Sequence, residues 1–455
     1  MNPGRLKIRK LDVRSDEDAG SVVQLRECMS PKGDVVSDRG RELTRKVFGR
    51  PLTPQQVVEE ICGRVEREGI DAVLHFTAQL DGQPLTENTV RVPQDQLRKA
   101  HAEADESFLN TIRRIRGNIY EFQTAILHDD VEVGRSGVRL QQRYTALKRV
   151  GLCVPGGAAA YPSTVLMTAV PAQAAGVSEI VVVAPPTEFG ANNPDLLATC
   201  HELDIDEVYR VGGAQGVAAM AYGASPIERV DMIAGPGNLF VALAKRLVYG
   251  QVEIDAIAGP SEVVVIAQES ARADYVAADL LAQAEHAPGA SLLVTWSEKL
   301  LEAVAEELER QVGFLSRSEL TVESLEAFGA LILVRDEDQA IELTNLIAPE
   351  HLHIASDDAE RLMSRMPCAG ATFLGDFSPV AIGDYAAGPS HVLPTSGTAR
   401  FASGLTSNDF RRGRSVIHYT DEALRAVADD VRLMADKEGL TAHRASVDIR
   451  LKSKN

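Results

Sequence analysis

Glu350, His351 and His353 stand within LIAPEHLHIAS, residues 346–356, in an otherwise apolar run. Two imidazoles beside a carboxylate can ligate a metal, can exchange a proton near neutral pH, or can merely cap a strand. Six of the ten histidines, His286, His351, His353, His391, His418 and His443, fall in the last 170 residues, so the chemistry concentrates there. In LLAQAEHAPG a helix running from Ala273 to a stop at Pro288-Gly289 places Gln283 and His286 three apart on one face of its last turn. An amide oxygen and an imidazole nitrogen can both bind zinc or manganese. On spacing alone the stronger reading is a histidine that caps the helix end and suits its dipole.

Two further segments carry chemistry-bearing residues. IGDYAAGPSHVLPTSGTARFASG, with Asp384, His391 and Arg400, is a long Gly/Pro-rich connection, and connections of that length usually persist because they serve a site. KEGLTAHRASVDIR sets Glu438 and His443 on either side of Gly439, where a helix breaks and both side chains can turn toward one ligand; solvated polar residues are the bland alternative. Cys153 invites a thiolate mechanism, but no base accompanies it, and an inert strand cysteine is the stronger reading.

The elements that must position these residues are mostly parallel α/β units. GLCVPGG, EIVVVAPP, EVYRVGG and VDMIAGPGN are strand-then-glycine units, separated by helices in STVLMTAVPAQAAGV and AQGVAAMAYG. A second series runs SEVVVIA, helix 271–286, SLLVTW, helix 297–312, GALILVRD, helix 337–347, HLHIAS and ATFLG. Glycines at strand ends are where open α/β sheets bind ligands and where peptide N–H groups can face a pyrophosphate. Residues 54–128 read mainly as helix: TPQQVVEEICGRVEREG has Thr53 as N-cap, Val57, Val58, Ile61 and Val65 on one face, and Gly69 as its stop.

The expected architecture is two Rossmann-like α/β domains with partly parallel sheets, a helical N-terminal arm and a small helical C-terminal domain intertwined in a dimer. The expected boundaries are 1–50 for the arm, 51–150 with 262–403 for one α/β domain, 151–261 for a nucleotide-binding one, and 404–455 for the C-terminal piece. A chain of 455 residues can bury large cores, and its 45% hydrophobic and 25% charged content is that of a soluble globular protein. The net charge of −18 argues against nucleic acid or an anionic membrane as partner. No segment has signal-peptide or bilayer-spanning character. Five scattered cysteines without a C-x-x-C fit reduced thiols and a cytoplasmic setting.

Taken together, VPGG, YPSTVLM, GGAQ, GPGN, GPSEV, QAEH, APEHL, GDYAAGPSHVLPT and EGLTAH resemble, in order and from about residue 50 to the C-terminus, the histidinol dehydrogenase family. The resemblance implies one zinc per subunit held by Gln283, His286, Asp384 and His443, which reverses the capping reading of His286. It implies Glu350 and His351 as the acid and base, leaving His353 a supporting residue. Ser261, His391 and Glu438 would contact substrate together with His351 and the zinc ligands. Gln215 and Asn238 would contact NAD, as would position 153, where the family commonly has Tyr and this chain has Cys153, without a ring to stack. The implied reaction is oxidation of L-histidinol through L-histidinal to L-histidine with two NAD and one water. The implied assembly is a homodimer in which EGLTAH completes the partner's site. Rival readings are a paralogous zinc- and NAD-dependent dehydrogenase of another small alcohol, such as a sulfonated diol, a metal hydrolase, and a non-catalytic binding protein.

Overall fold

The computed structural model describes residues 6–15, 22, 38–157, 159–286 and 288–452. Much of the expected N-terminal arm, Cys28 included, lies outside the described residues.

Two parallel sheets organise the chain. The first has five strands in the spatial order Glu207–Arg210, Glu179–Ala184, Arg149–Cys153, Met232–Ala234, Glu253–Ile254. Numbered along the chain this is 3-2-1-4-5, the doubly wound order whose switch point lies between the strands ending at Cys153 and Ala234. The second sheet runs Arg9–Asp12, Ala330–Leu333, Gly289–Thr295, Ser261–Ala267, His351–Ala355, Ala371–Leu374. Apart from the edge strand Arg9–Asp12, it repeats the same 3-2-1-4-5 order, with its switch point between the strands that begin at Ser261 and His351. Both central strands are buried on two faces, as parallel strands covered by helices must be.

Register fixes which side chains meet. His351 lies opposite Val263 and His353 opposite Val265. Val263 and Val265 pack toward helix Ala273–Ala284, whereas Val264, Ile266, Leu352 and Ile354 face the other way, toward helix Glu337–Ile347. The period of two therefore sends His351 and His353 to the side that carries Gln283.

The helices of residues 54–125 pack on the five-stranded sheet. Helix Pro54–Glu68 buries Val57, Val58, Ile61, Cys62 and Val65 against Val181, Val183, Tyr209 and Val217. Helices Gln94–Glu103 and Glu106–Ala125 bury Leu97, Ile112 and Ile119 with Val150, Leu152 and Val182 on the opposite face. At roughly 1.5–3 kcal/mol for each large apolar side chain removed from water, these contacts decide the placement. Thr53 caps the first helix by accepting from Gln56 N while Gln56 reaches back to Thr53 N, as its sequence leads one to expect.

The C-terminal piece is not only helical. Strand Arg411–Tyr419 pairs antiparallel with Val138–Ala146, which pairs with Val131–Arg135, in a third sheet largely open to solvent. Helices Asp421–Glu438 and Thr441–Leu451 then pack on each other as a hairpin. The N-terminal arm likewise adds a strand as well as a helix, Asp38–Phe48. No helix among the described residues is long and apolar enough to cross a membrane.

Candidate active site

Pro349 follows Ala348, whose φ of +48° ends helix Glu337–Ile347 in a left-handed cap, and the strand begins at His351. Glu350 thus precedes the regular pleat, and its side chain reaches the start of the neighbouring strand. Its Oε2 accepts from Ser261 Oγ at 2.5 Å and from Glu262 N at 2.9 Å. His351 meets the same residue through its other backbone group, with Nδ1 3.2 Å from the carbonyl oxygen of Glu262. A carbonyl only accepts, so Nδ1 carries the proton and Nε2 presents a lone pair. Glu350 and His351, adjacent in sequence, therefore serve one place because the strand starts between them.

The electrostatics assign opposite protonation habits to this pair. Burial pushes the Glu350 carboxyl up to about 8; its hydrogen bonds from Ser261 and Glu262 oppose the shift and the charge of Asp384 adds to it. Burial pushes His351 down, against the pull of Asp384 and the Glu262 carbonyl, so the ring is a neutral base at physiological pH. Glu262, buried behind Glu350, is itself raised to about 7 by burial and by that second carboxyl.

Asp384 on the short helix Val380–Tyr385 supplies negative charge to the whole cluster, acting on His286, His351, His391 and Glu350. His391 Nδ1 lies 3.1 Å from the Asp384 carbonyl oxygen, while its Nε2 is enclosed without a partner. Gln283 is 2% exposed and its Nε2 also lacks a partner. Helix Ala273–Ala284 ends earlier than the sequence predicts, so His286 sits in the turn after it, at the solvent-facing rim, with its N–H on the Gln283 carbonyl. His351 and His391 open on a cavity of about 620 Å³ whose apolar wall includes Phe122, Phe373, Ile382 and Leu393.

Glu438 and His443 are not brought to this cluster within one chain. Both are exposed and line a shallow surface cavity formed by the C-terminal hairpin alone, with Val431, Met434 and Leu440. Neither is among the groups whose charge shifts His286, His351 or His391. His353 is turned away from the cluster, its Nδ1 2.6 Å from Asp279 and its Nε2 3.0 Å from the Gly375 carbonyl.

A cavity of about 530 Å³ occupies the switch point of the five-stranded sheet, lined by Cys153, Gly156, Gly212, Gly213, Gln215 and Asn238 among others. Cys153 is buried, and burial pushes its thiol up to about 12, so no thiolate is available. Asn238 is the N-cap of helix Leu239–Val248, its Oδ1 accepting from Phe240 N and Val241 N, which leaves only its amide NH₂ to face a ligand. Two features here have no motif in the sequence. Asp81 accepts from Gln215 Nε2 at 3.2 Å, and beneath the GPGN loop a buried Lys245–Asp255 ion pair clamps Gly235 through Lys245 Nζ to its oxygen and Asp255 Oδ2 from its nitrogen. A lone acid after a helix and a lysine in a small apolar helix were the available signals. Tyr161, on the rim of this cavity, and Tyr385, beside Asp384, bring the cavity next to the histidine cluster.

The sequence profile of the histidinol dehydrogenase family matches residues 51–451. A histidinol dehydrogenase of Rhodopirellula baltica is 60% identical over 440 residues, covering 96% of each chain. One of Thermosynechococcus vestitus is 46% identical over 420 residues, covering 92% of this chain and 97% of the relative. The crystal structure of histidinol dehydrogenase from Elizabethkingia anophelis superposes with a TM-score of 0.87 at 31% identity, covering 98% of both chains.

Proposed function

The chain belongs to the histidinol dehydrogenase family, and from that premise we propose that it oxidises L-histidinol to L-histidine through L-histidinal, with the cluster around His351 as its catalytic centre and NAD at the switch-point cavity. The observation that carries the reading is the His351 tautomer: Nδ1 is committed to the Glu262 carbonyl, so a neutral Nε2 is held ready at a buried cavity.

His351 takes the hydroxyl proton of the alcohol as hydride leaves the carbinol carbon. NAD, when bound, supplies the acceptor for that hydride. Glu350 is the acid–base group for the second half: as a carboxylate it draws a proton from the water that adds to the aldehyde, and its raised pKa lets it hand that proton on near neutrality. Ser261 and the Glu262 amide fix its orientation. His391, anchored through Nδ1, keeps Nε2 directed to a ligand and serves as a substrate contact.

The donor set fits a zinc ion. Gln283 has a buried amide with an unpartnered end, which can present its oxygen, and His286 stands in the following turn with Asp384 close enough to act on it. These three, with the partner subunit's His443, would hold the metal; Glu438 of the partner subunit would join His391 and Ser261 at the substrate. When bound, zinc would fix the substrate's imidazole and amine and so orient the carbinol carbon. The exposed hairpin that carries EGLTAH supports a homodimer with shared sites. Free thiols at Cys62, Cys153, Cys200 and Cys368 suit a cytoplasmic setting.

The test is stoichiometric. Zinc-loaded protein is expected to release two NADH per L-histidinol consumed, to stop with a chelator and to resume with zinc; a zinc-loaded protein that does not turn over would refute the reading. Mixing and re-equilibrating inactive His351→Asn and His443→Asn chains is expected to restore roughly a quarter of wild-type activity, because half of the dimers then hold one intact site. No recovery would rule out sharing across the dimer.

A further inference from the structure

Asp81 enters the nucleotide cavity from outside the five-stranded sheet, as the residue capping helix Ile70–Leu80. A carboxylate only accepts hydrogen bonds, so at 3.2 Å it obliges Gln215 to turn its NH₂ toward Oδ2 and its oxygen away. That oxygen, on a side chain 1% exposed, has no partner in the protein. Gly213 leaves room beside it, since a Cβ there would stand 2.8 Å from the same atom. A buried acceptor without a donor is costly, and it is the kind of feature that a ligand's N–H or O–H resolves.

The charge pattern of the wall points the same way. Asp81 is the sole charged side chain among the described residues lining the cavity. In doubly wound nucleotide sites an acid near the end of the second strand receives the ribose hydroxyls. Here the second strand, Glu179–Ala184, is followed at the cavity by Pro185 and Thr187, and Thr187 Oγ is spent on the Gly156 carbonyl at 2.5 Å.

We propose that Asp81 and Gln215 are a specificity pair: Asp81 disfavours a 2′-phosphorylated dinucleotide and locks Gln215 so that its amide oxygen receives an N–H or O–H of an unphosphorylated one. The inference rests on the reading of this cavity as the nucleotide site. Burial holds the Asp81 carboxyl near about 6, so it is ionised at neutral pH and above.

The experiment measures KM for NAD and for NADP on full-length, zinc-loaded protein. Asp81→Asn is expected to raise the KM for NAD about tenfold and to cut the preference for NAD over NADP by at least about tenfold. Gln215→Glu sets two carboxylates face to face and raises the KM for NAD further. The exchange D81N/Q215E, in which amide and carboxyl have traded places, recovers both the KM for NAD and the preference toward wild type; a purely structural role would compound the damage instead. Histidinol affinity by calorimetry without nucleotide shows that each variant is folded. Wild-type turnover together with an indifferent Asp81→Asn, or a double variant no better than the singles, overturns the inference alone. A wild type that reduces neither nucleotide overturns the functional reading and this inference with it.

Discussion

Replacing Lys245 by methionine removes the cation from a pair whose side chains are 3% and 2% exposed. Two enclosed charges are tolerable only together, and deleting one partner of such a pair costs about 3–5 kcal/mol. The surroundings order the two single variants within that range. Without Lys245, Asp255 retains two peptide donors, Gly235 N at 2.6 Å and Ala256 N at 2.7 Å. Without Asp255, Lys245 retains one carbonyl, that of Gly235 at 3.1 Å. Lys245→Met therefore belongs near about 3 kcal/mol and Asp255→Leu near about 5 kcal/mol. The double variant carries no orphaned charge and is expected within about 2 kcal/mol of wild type, a coupling energy of several kcal/mol. Urea unfolding followed by far-UV circular dichroism measures the losses, with fluorescence of the single tryptophan, Trp296, read in parallel. Trp296 packs with the six-stranded sheet, so a shift confined to the other sheet moves the dichroism and leaves the fluorescence transition in place. Because the pair clamps Gly235, next to Pro236 and Gly237 in the wall of the proposed nucleotide cavity, the KM for NAD should rise in both singles and recover in the double. Single losses below about 1 kcal/mol, or losses that simply add in the double, would refute the reasoning.

Three other outcomes follow from the same geometry. His353 lies between two acceptors; burial opposes its charge, but Asp279 and the Gly375 carbonyl outweigh it and raise the pKa. Its contribution to stability is then fully present below about pH 6.5 and lost as pH climbs through the raised value, so wild type should lose more melting temperature between about pH 6 and pH 9 than H353Q/D279N does; equal losses would contradict this. Glu350→Gln keeps the neutral form's shape and its bonds from Ser261 and Glu262, so the protein should fold. Oxidation of supplied L-histidinal, which in wild type rises with pH toward about 8 as the carboxylate forms, should become slow and flat in Glu350→Gln. His351→Asn is expected to lower kcat for the alcohol step by roughly 10²- to 10⁴-fold with little change in histidinol affinity, measured by single-turnover NADH formation.

The legibility of this protein tracks burial. The central strands stand out as apolar runs because parallel strands are covered on both faces, and SEVVVIA and HLHIAS fall where the structure has Ser261–Ala267 and His351–Ala355. The strands Val131–Arg135, Val138–Ala146 and Arg411–Tyr419 were not legible, since they are largely open to solvent and the two longer ones are polar without a sustained alternation. The amphipathic stripe of helix Pro54–Glu68 announces that one face is buried, but Val57 and Ile61 contain nothing that says which sheet covers them. At the site, Glu350 and His351 stood out because they interrupt an apolar run, whereas Ser261 entered only through the family resemblance. Glu262, Asp81 and the Lys245–Asp255 pair could not, because their meaning is a partner distant in sequence.

Chain connectivity explains why the candidate catalytic residues stand where the general rule for open α/β sheets would not put them. The cavity proposed for the nucleotide obeys the rule, at the carboxyl ends of the strands ending at Cys153 and Ala234. Ser261 and His351 instead begin their strands, at the amino end of the second switch point. Six residues join Ile254, the end of the last strand of the first sheet, to Ser261. Even fully extended, that link spans at most about 24 Å. The amino end of the Ser261 strand is therefore held near the carboxyl end of the five-stranded sheet, and the register of its neighbour brings His351 beside it. Asp255, within the link, is anchored to Gly235 and Lys245, which ties the crossing itself to the loop that walls the proposed nucleotide cavity. The carboxyl end of the second sheet, the usual address for a ligand, is carried away from the proposed nucleotide cavity by the length of its own strands. If the proposed hydride transfer takes place, donor and acceptor must meet at contact distance, and the short link favours the amino end of the second sheet for that meeting.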